Sequence, residues 1–284
     1  MLYYLFTWLH EAYDLHGAGV FQYISFRAAM SVITSLVIML VFGKPFINYL
    51  RRKQIGAKVR DLSLEGQSEK AGTPTMGGLL ILAAIIIPTL LFAKLDNIYV
   101  LIMVGTTLWL GMVGFLDDYL KMTRGKEGLN VKWKVLGQVM LGLVVGLLVM
   151  FHPDITVRQT IGQQSASIEH HEVEERSFNT VSVYSGVNAK STTTTIPFVK
   201  DNELDYSKMI TWMGDWANKW VWLLYVLVVI FIITAVSNAA NLTDGIDGLA
   251  TGVAAVNGGA LAILAWVSGN IIFAKYLNIM YLPN

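Results

Sequence analysis

The chain has 284 residues, 54% of them hydrophobic and only 14% charged, with 21 basic and 20 acidic side chains for a formal charge of +1. A soluble domain carries roughly 25% charged residues, so a soluble enzyme is excluded, and the near-zero charge excludes a generally basic nucleic-acid binder. With no cysteine, a disulfide framework, a thiolate metal site and a cysteine nucleophile are excluded as well.

Residues 1–16 hold no Lys or Arg, so they do not read as a signal peptide. Six apolar stretches follow, at about 21–43, 76–93, 98–116, 135–151, 220–240 and 249–267, each suited to a hydrocarbon layer about 30 Å thick. The stretch 98–116 is the cleanest, without a single charge. Arg27 inside the first is expected to snorkel to the nearer interface, and Pro88 to kink the second. Residues 271–282 are too short to cross and read as the start of a seventh span. The expected fold is therefore an all-α, polytopic integral membrane bundle, one transmembrane domain over 1–284. Its segment 152–219 is polar, rich in Ser and Thr, and has the Val-x-Val alternation of a small β-rich flap.

Lys and Arg in short loops set the orientation. Segment 44–72 holds Lys44, Arg51, Arg52, Lys53, Lys58, Arg60 and Lys70, and segment 117–134 holds Lys121, Arg124, Lys126, Lys132 and Lys134. Both are read as cytoplasmic. The N-terminus and 152–219 are then external, and the region 241–248 is cytoplasmic again.

Three polar segments fall on that cytoplasmic side at span ends. In Lys70-Ala-Gly-Thr-Pro-Thr-Met-Gly-Gly78, Thr73 reads as an N-cap and Pro74 as the first helical residue. A helix N-terminus with Lys70 beside it suits a phosphate or diphosphate; an ordinary capped helix explains it equally well. Asp117 and Asp118 end the third span, where a carboxylate opposes the helix dipole at roughly 0.3–1 kcal/mol each. A cation must compensate: Lys121 one turn on, or else a divalent ion or a cationic substrate. Asn241, Asp244 and Asp247 are spaced to share one helix face, with Gly245 and Gly248 beside them and Thr243 able to cap. That is more than N-terminal capping requires. The five histidines lie outside in this topology, and His170–His171 reads as a solvated run among glutamates.

These segments, in this order and on one face, resemble the phospho-N-acetylmuramoyl-pentapeptide transferases, a family of the polyprenyl-phosphate N-acetylhexosamine-1-phosphate transferases. The resemblance implies transfer of phospho-N-acetylmuramoyl-pentapeptide from UDP-MurNAc-pentapeptide to undecaprenyl phosphate. The products would be lipid I and UMP, the cofactor Mg²⁺, and the setting the cytoplasmic face of a bacterial inner membrane. By the same resemblance Asp117 and Asp118 are catalytic. Lys70, Thr75, Asn241, Asp244, Gly245 and Asp247 bind substrate, and Asp117, Asp118, Asp244 and Asp247 share the magnesium site. Family members have about ten spans, so the chain reads as a C-terminally shortened member without the family's further aspartate and histidine cluster. Activity of this polypeptide alone and its oligomeric state, homodimer included, stay open. The rival readings are a UDP-N-acetylglucosamine-1-phosphate transferase, a cation-coupled transporter and, more remotely, an intramembrane aspartyl protease.

Because the chain has no cysteine, labelling can test the topology without background. Lys126→Cys and Lys190→Cys should react with an impermeant maleimide from opposite sides of sealed vesicles; reaction from one side would overturn the orientation.

Overall fold

A computed structural model describes residues 1–53, 75–124, 128–158, 188–189, 192–196, 203–210, 214, 219–244, 248–277, 279 and 281–282. In chain order the helices are α1 (Leu2–Tyr13), α2 (Ile24–Arg52), α3 (Gly78–Phe92), α4 (Ile98–Arg124), α5 (Val131–Phe151), α6 (Tyr206–Ile210), α7 (Val221–Thr243), α8 (Leu249–Ser268) and α9 (Ile271–Tyr276). Strands β1 (Val157–Arg158) and β2 (Asn188–Ala189) pair antiparallel, as do β3 (Thr193–Thr195) and β4 (Glu203–Asp205). Among the described residues five helices, α2, α4, α5, α7 and α8, are long and apolar enough to cross a membrane. With 15 residues α3 is shorter, about 22 Å at 1.5 Å per residue. This is an all-α polytopic membrane protein. Its residues form two compact units, Met1–Val145 and Gly146–Asn284.

In the first unit α2 continues past the expected end of its span, through Pro45 to Arg51 and Arg52 in its last turn, where the helix dipole favours cations. Its 29 residues make about 43 Å of helix, more than the hydrocarbon needs. The basic end therefore projects beyond the apolar layer. Helix α1, which the apolar pattern did not reveal, is held by Phe6 stacking on Phe21 with ring centroids 3.9 Å apart. Arg27 is half-buried near the start of α2. Its guanidinium lies 4.6 Å from the centre of the Tyr3 ring, and its Nη1 donates to the Phe92 carbonyl at 3.5 Å. One cation thus joins α1, the start of α2 and the last carbonyl of α3.

That contact places the start of α2 beside the end of α3. Residues 93–97 then turn α3 directly into α4, and Leu82 of α3 packs against Gly111 of α4. The three helices consequently alternate in direction. The basic end of α2, the beginning of α3 and the Asp117 end of α4 share one side of this unit.

In the second unit the last turns of α5 meet the first turns of α7. Val226 is fully buried against the backbone of Gly146, and Phe151 and Trp222 pack edge to face at 5.7 Å. The β3–β4 pair leads into α6, whose Tyr206 is 3% exposed. Its hydroxyl shares a hydrogen bond of 3.0 Å with Thr194, and its ring stands edge-on to Tyr225 of α7 at 5.7 Å. Within 152–219 the described residues thus combine short strands with a helical turn. Helix α8 turns Val256, Leu261 and Ile263 outward, as a lipid-facing surface requires.

Tyr206 is the hinge of that packing. Tyr206→Ala should cost about 3–5 kcal/mol locally and Tyr206→Phe about 0.5–1.5 kcal/mol. Limited proteolysis in detergent should then cut 188–210 fastest in the alanine variant while α7 and α8 survive; equal cleavage of all three proteins would contradict the assignment.

Candidate active site

The charge-free part of α4 is followed by two further helical turns, so Asp117 and Asp118 are not its terminal residues, as the expected span end at 116 implied. The dipole penalty is confined to the last turn, and these carboxylates escape most of it. Local ion pairs set their environment. Lys121, four residues on, brings Nζ to 2.7 Å from Asp117 Oδ2 and 3.4 Å from Asp118 Oδ1. An acid four residues before a lysine is the favourable order on a helix.

The second partner comes from α5. Asn130 starts that helix, accepting from the Lys132 amide on its side chain at 3.1 Å and from the Trp133 amide on its carbonyl at 2.9 Å. Lys134 therefore stands in the first turn, where the dipole disfavours a cation. Its compensation is Asp117, whose Oδ1 lies 2.8 Å from Lys134 Nζ. About two turns before Asp117, Trp109 of α4 donates its indole N–H to the Gly137 carbonyl at 2.9 Å and fixes the register of the two helices.

The loop between α4 and α5 folds back on the same carboxylate. The Leu129 amide donates to Asp117 Oδ1 at 2.7 Å. Gly128 makes this approach possible: a β-carbon there would collide with Asp117 Oδ1 and sit 2.9–3.0 Å from the Lys121 stem. Asp117 thus receives two ammonium groups and one amide, and its side chain is 13% exposed against 34% for Asp118. Two acids and two lysines make a cluster with no net charge.

Thr75 lies on this side of the unit, three residues before the first helical residue of α3. The expected helix start at Pro74 is corrected. Met76 is buried with φ of 69°, which a right-handed helix does not accept, and α3 begins at Gly78 with Gly77 before it. Thr73 and Pro74, together with Lys70, Gly245 and Asp247, lie outside the described residues.

In the second unit Asn241 is on the last turn of α7, Asp244 is its exposed C-terminal cap, and Gly248 at φ of 83° leads into α8. Asn241 lies within α7 and Asp244 ends it, while Asp247, the third residue expected on that face, lies outside the described residues. Thr243 bonds back to the Ala239 carbonyl at 2.9 Å and does not cap α8.

Residues 100–282 match glycosyl transferase family 4, and residues 70–82 match the phospho-N-acetylmuramoyl-pentapeptide-transferase signature 1. Over its whole length the chain is 54% identical to a phospho-N-acetylmuramoyl-pentapeptide-transferase of Flavobacterium johnsoniae, 52% to that of Flavobacterium psychrophilum and 50% to that of Parabacteroides distasonis. It covers 68%, 68% and 65% of their lengths. The chain belongs to this transferase family. Membership removes the transporter and protease readings. The signature takes in the approach to α3, and the family 4 match takes in the whole Asp117–Lys134 cluster.

Asp117 and Asp118 offer hard carboxylate oxygens, the donors that Mg²⁺ takes one or two at a time beside water and phosphate. Among the described residues no group of three acidic or histidine side chains gathers as an all-protein metal cage. The donor set fits a magnesium ion held jointly with a phosphorylated substrate. Lys134 and Gly128 escaped the sequence reading. The signal for Lys134 was a cation in a first helical turn, which needs an acid nearby.

Loss of the Leu129 bond to a charged acceptor should cost about 1.5–3 kcal/mol, and an exposed pair such as Lys121–Asp118 about 0–1 kcal/mol. Thermal unfolding in detergent should therefore fall further for Gly128→Ala than for Asp118→Asn. The reverse order would move the centre of the cluster to Asp118.

Proposed function

We propose that the protein transfers phospho-N-acetylmuramoyl-pentapeptide from UDP-MurNAc-pentapeptide to undecaprenyl phosphate, giving lipid I and UMP, at the cytoplasmic face of the bacterial inner membrane. The observation carrying this reading is the neutral Asp117–Asp118–Lys121–Lys134 cluster on the same side as Thr75, a residue of the signature. A phosphate oxygen of the lipid attacks the phosphorus that bears the sugar. The new P–O bond forms as the bond to the uridine-linked phosphate breaks, and UMP leaves with that electron pair. Both reactants are anions, so rate comes from positioning and charge neutralisation.

The cluster is suited to both. An arriving diphosphate competes with Asp117 for Lys121 and Lys134, and as the ammonium groups turn to phosphate oxygens the carboxylate is released. Asp117 and Asp118 would hold Mg²⁺, which would supply charge neutralisation on the diphosphate. By this reading Lys70 and Thr75 contact the nucleotide-sugar, and Asn241, Asp244, Gly245 and Asp247 bind substrate as well. A general base is not required: the second pKa of a phosphate monoester is about 6, so the acceptor is already dianionic at neutral pH. Asp117 positions.

The test is UMP release by the purified protein. It should need undecaprenyl phosphate, UDP-MurNAc-pentapeptide and a divalent cation, and cease with EDTA. Release from UDP-N-acetylglucosamine instead would favour the rival substrate. Asp117→Asn should lose activity without recovery at high pH, because recovery would identify a base. Lys70→Ala should lower kcat/KM in neutral detergent by about tenfold to a hundredfold, the worth of one charged hydrogen bond, and Lys70→Arg by less. Unchanged activity of the alanine variant would remove Lys70 from the site.

A further inference from the structure

Helices α2 and α3 leave a groove of about 470 Å³ between them, lined by Ile38, Phe42, Pro45, Phe46, Leu80, Ala83 and Ile87. Its volume is that of a ligand site, yet no polar side chain lines it to orient a nucleotide or a sugar. On α2 the groove residues continue a single stripe. Ile38, Phe42, Phe46, Tyr49 and Lys53 succeed one another at steps of four, four, three and four, the spacing of one helix face. Lys53 Nζ lies over the Tyr49 ring, 6.0 Å from its centre. The stripe thus passes from aliphatic to aromatic to cationic over about 22 Å. That is the span of one leaflet from mid-bilayer through the headgroups, half of about 40–45 Å.

Among the described residues the cationic end has no counter-charge. No acidic residue occurs in α2, and among the described residues Arg51, Arg52 and Lys53 make no ion pair. Orientation of the chain alone accounts for basic residues at a membrane face. It does not account for an apolar slot on the same helix face that leads up to them.

We propose that the α2–α3 groove binds one acyl chain of an anionic glycerophospholipid, with the lipid phosphate against Lys53 and its neighbours Arg51 and Arg52. The occupant is a resident lipid of the bilayer rather than a reactant. By seating between α2 and α3 it braces the helix whose N-terminal approach carries the family signature.

Native mass spectrometry of the intact chain in neutral detergent tests this, with phosphatidylglycerol and phosphatidylcholine of identical acyl chains as probes. One phosphatidylglycerol should be retained per chain, at least tenfold over phosphatidylcholine. Lys53→Ala should lower that preference about fivefold, the worth of one basic residue near an anionic surface, and replacing all three cations should erase it. Ala83→Trp, which fills the groove, should abolish retention. Should that variant fail to fold, Phe42→Trp at an exposed position serves instead, and brominated phosphatidylglycerol should quench it more strongly than brominated phosphatidylcholine. Equal retention or equal quenching of the two lipids overturns the proposal. So does a polyprenyl phosphate that displaces phosphatidylglycerol at lower concentration, or a lipid-free dimer of the chain. None of these readouts uses transferase activity, so the proposal and the functional reading fail separately.

Discussion

Water does not reach the middle of a bilayer, so every peptide N–H and C=O there must be satisfied within the chain. The apolar stretches can meet that demand only as helices, and several polar side chains inside them are turned back onto their own backbone. Thr89, Thr107 and Asn238 each donate to a carbonyl four residues earlier. The side chains left for chemistry are therefore at helix ends. This one constraint explains both the all-α architecture and the position of the charged cluster beyond the apolar part of α4.

At that end the problem is reversed, because charges must be kept near one another without cancelling their use. Asp117 solves it by holding two lysines from different helices together with a loop amide. With Asp118 beside Lys121 the group carries no net charge, which limits the desolvation cost of its partial burial. Each of its pairs can still be exchanged for a stronger one. A phosphate is a better partner for an ammonium group than a carboxylate already shared three ways, and a divalent cation a better partner for that carboxylate. On the proposed function, the same contacts that stabilise the cluster make it responsive to an anionic substrate.

The packing that assembles the cluster rests on small residues and one arginine. Gly128 lets the loop backbone come down onto Asp117 and the Lys121 stem, and Gly137 presents its carbonyl to Trp109. At the opposite end of the unit Arg27 links three elements through Tyr3 and the Phe92 carbonyl. Helix direction is set there, so a contact remote from the cluster decides that the basic end of α2, the start of α3 and Asp117 lie on one side.

Length of apolar run, absence of charge and the Lys and Arg of the loops depend only on local composition, and the sequence by itself determined from them the membrane class, the approximate spans and the acids at the ends. The motif Phe115-Leu-Asp-Asp-Tyr119 and the stretch from Lys70 to Gly78 were likewise legible, since each is contiguous. Where a helix stops was not, because α2 passes Pro45 and α4 passes its acids on the strength of contacts and ion pairs made elsewhere. Spacing alone read Asn241 and Asp244 as parts of one continuing helix face, whereas α7 ends between them, at Thr243. Lys134 and Gly128 lie 17 and 11 residues from Asp117, too far for helical periodicity to relate them. Only the folding of α5 and its loop back onto α4 could bring them to one carboxylate.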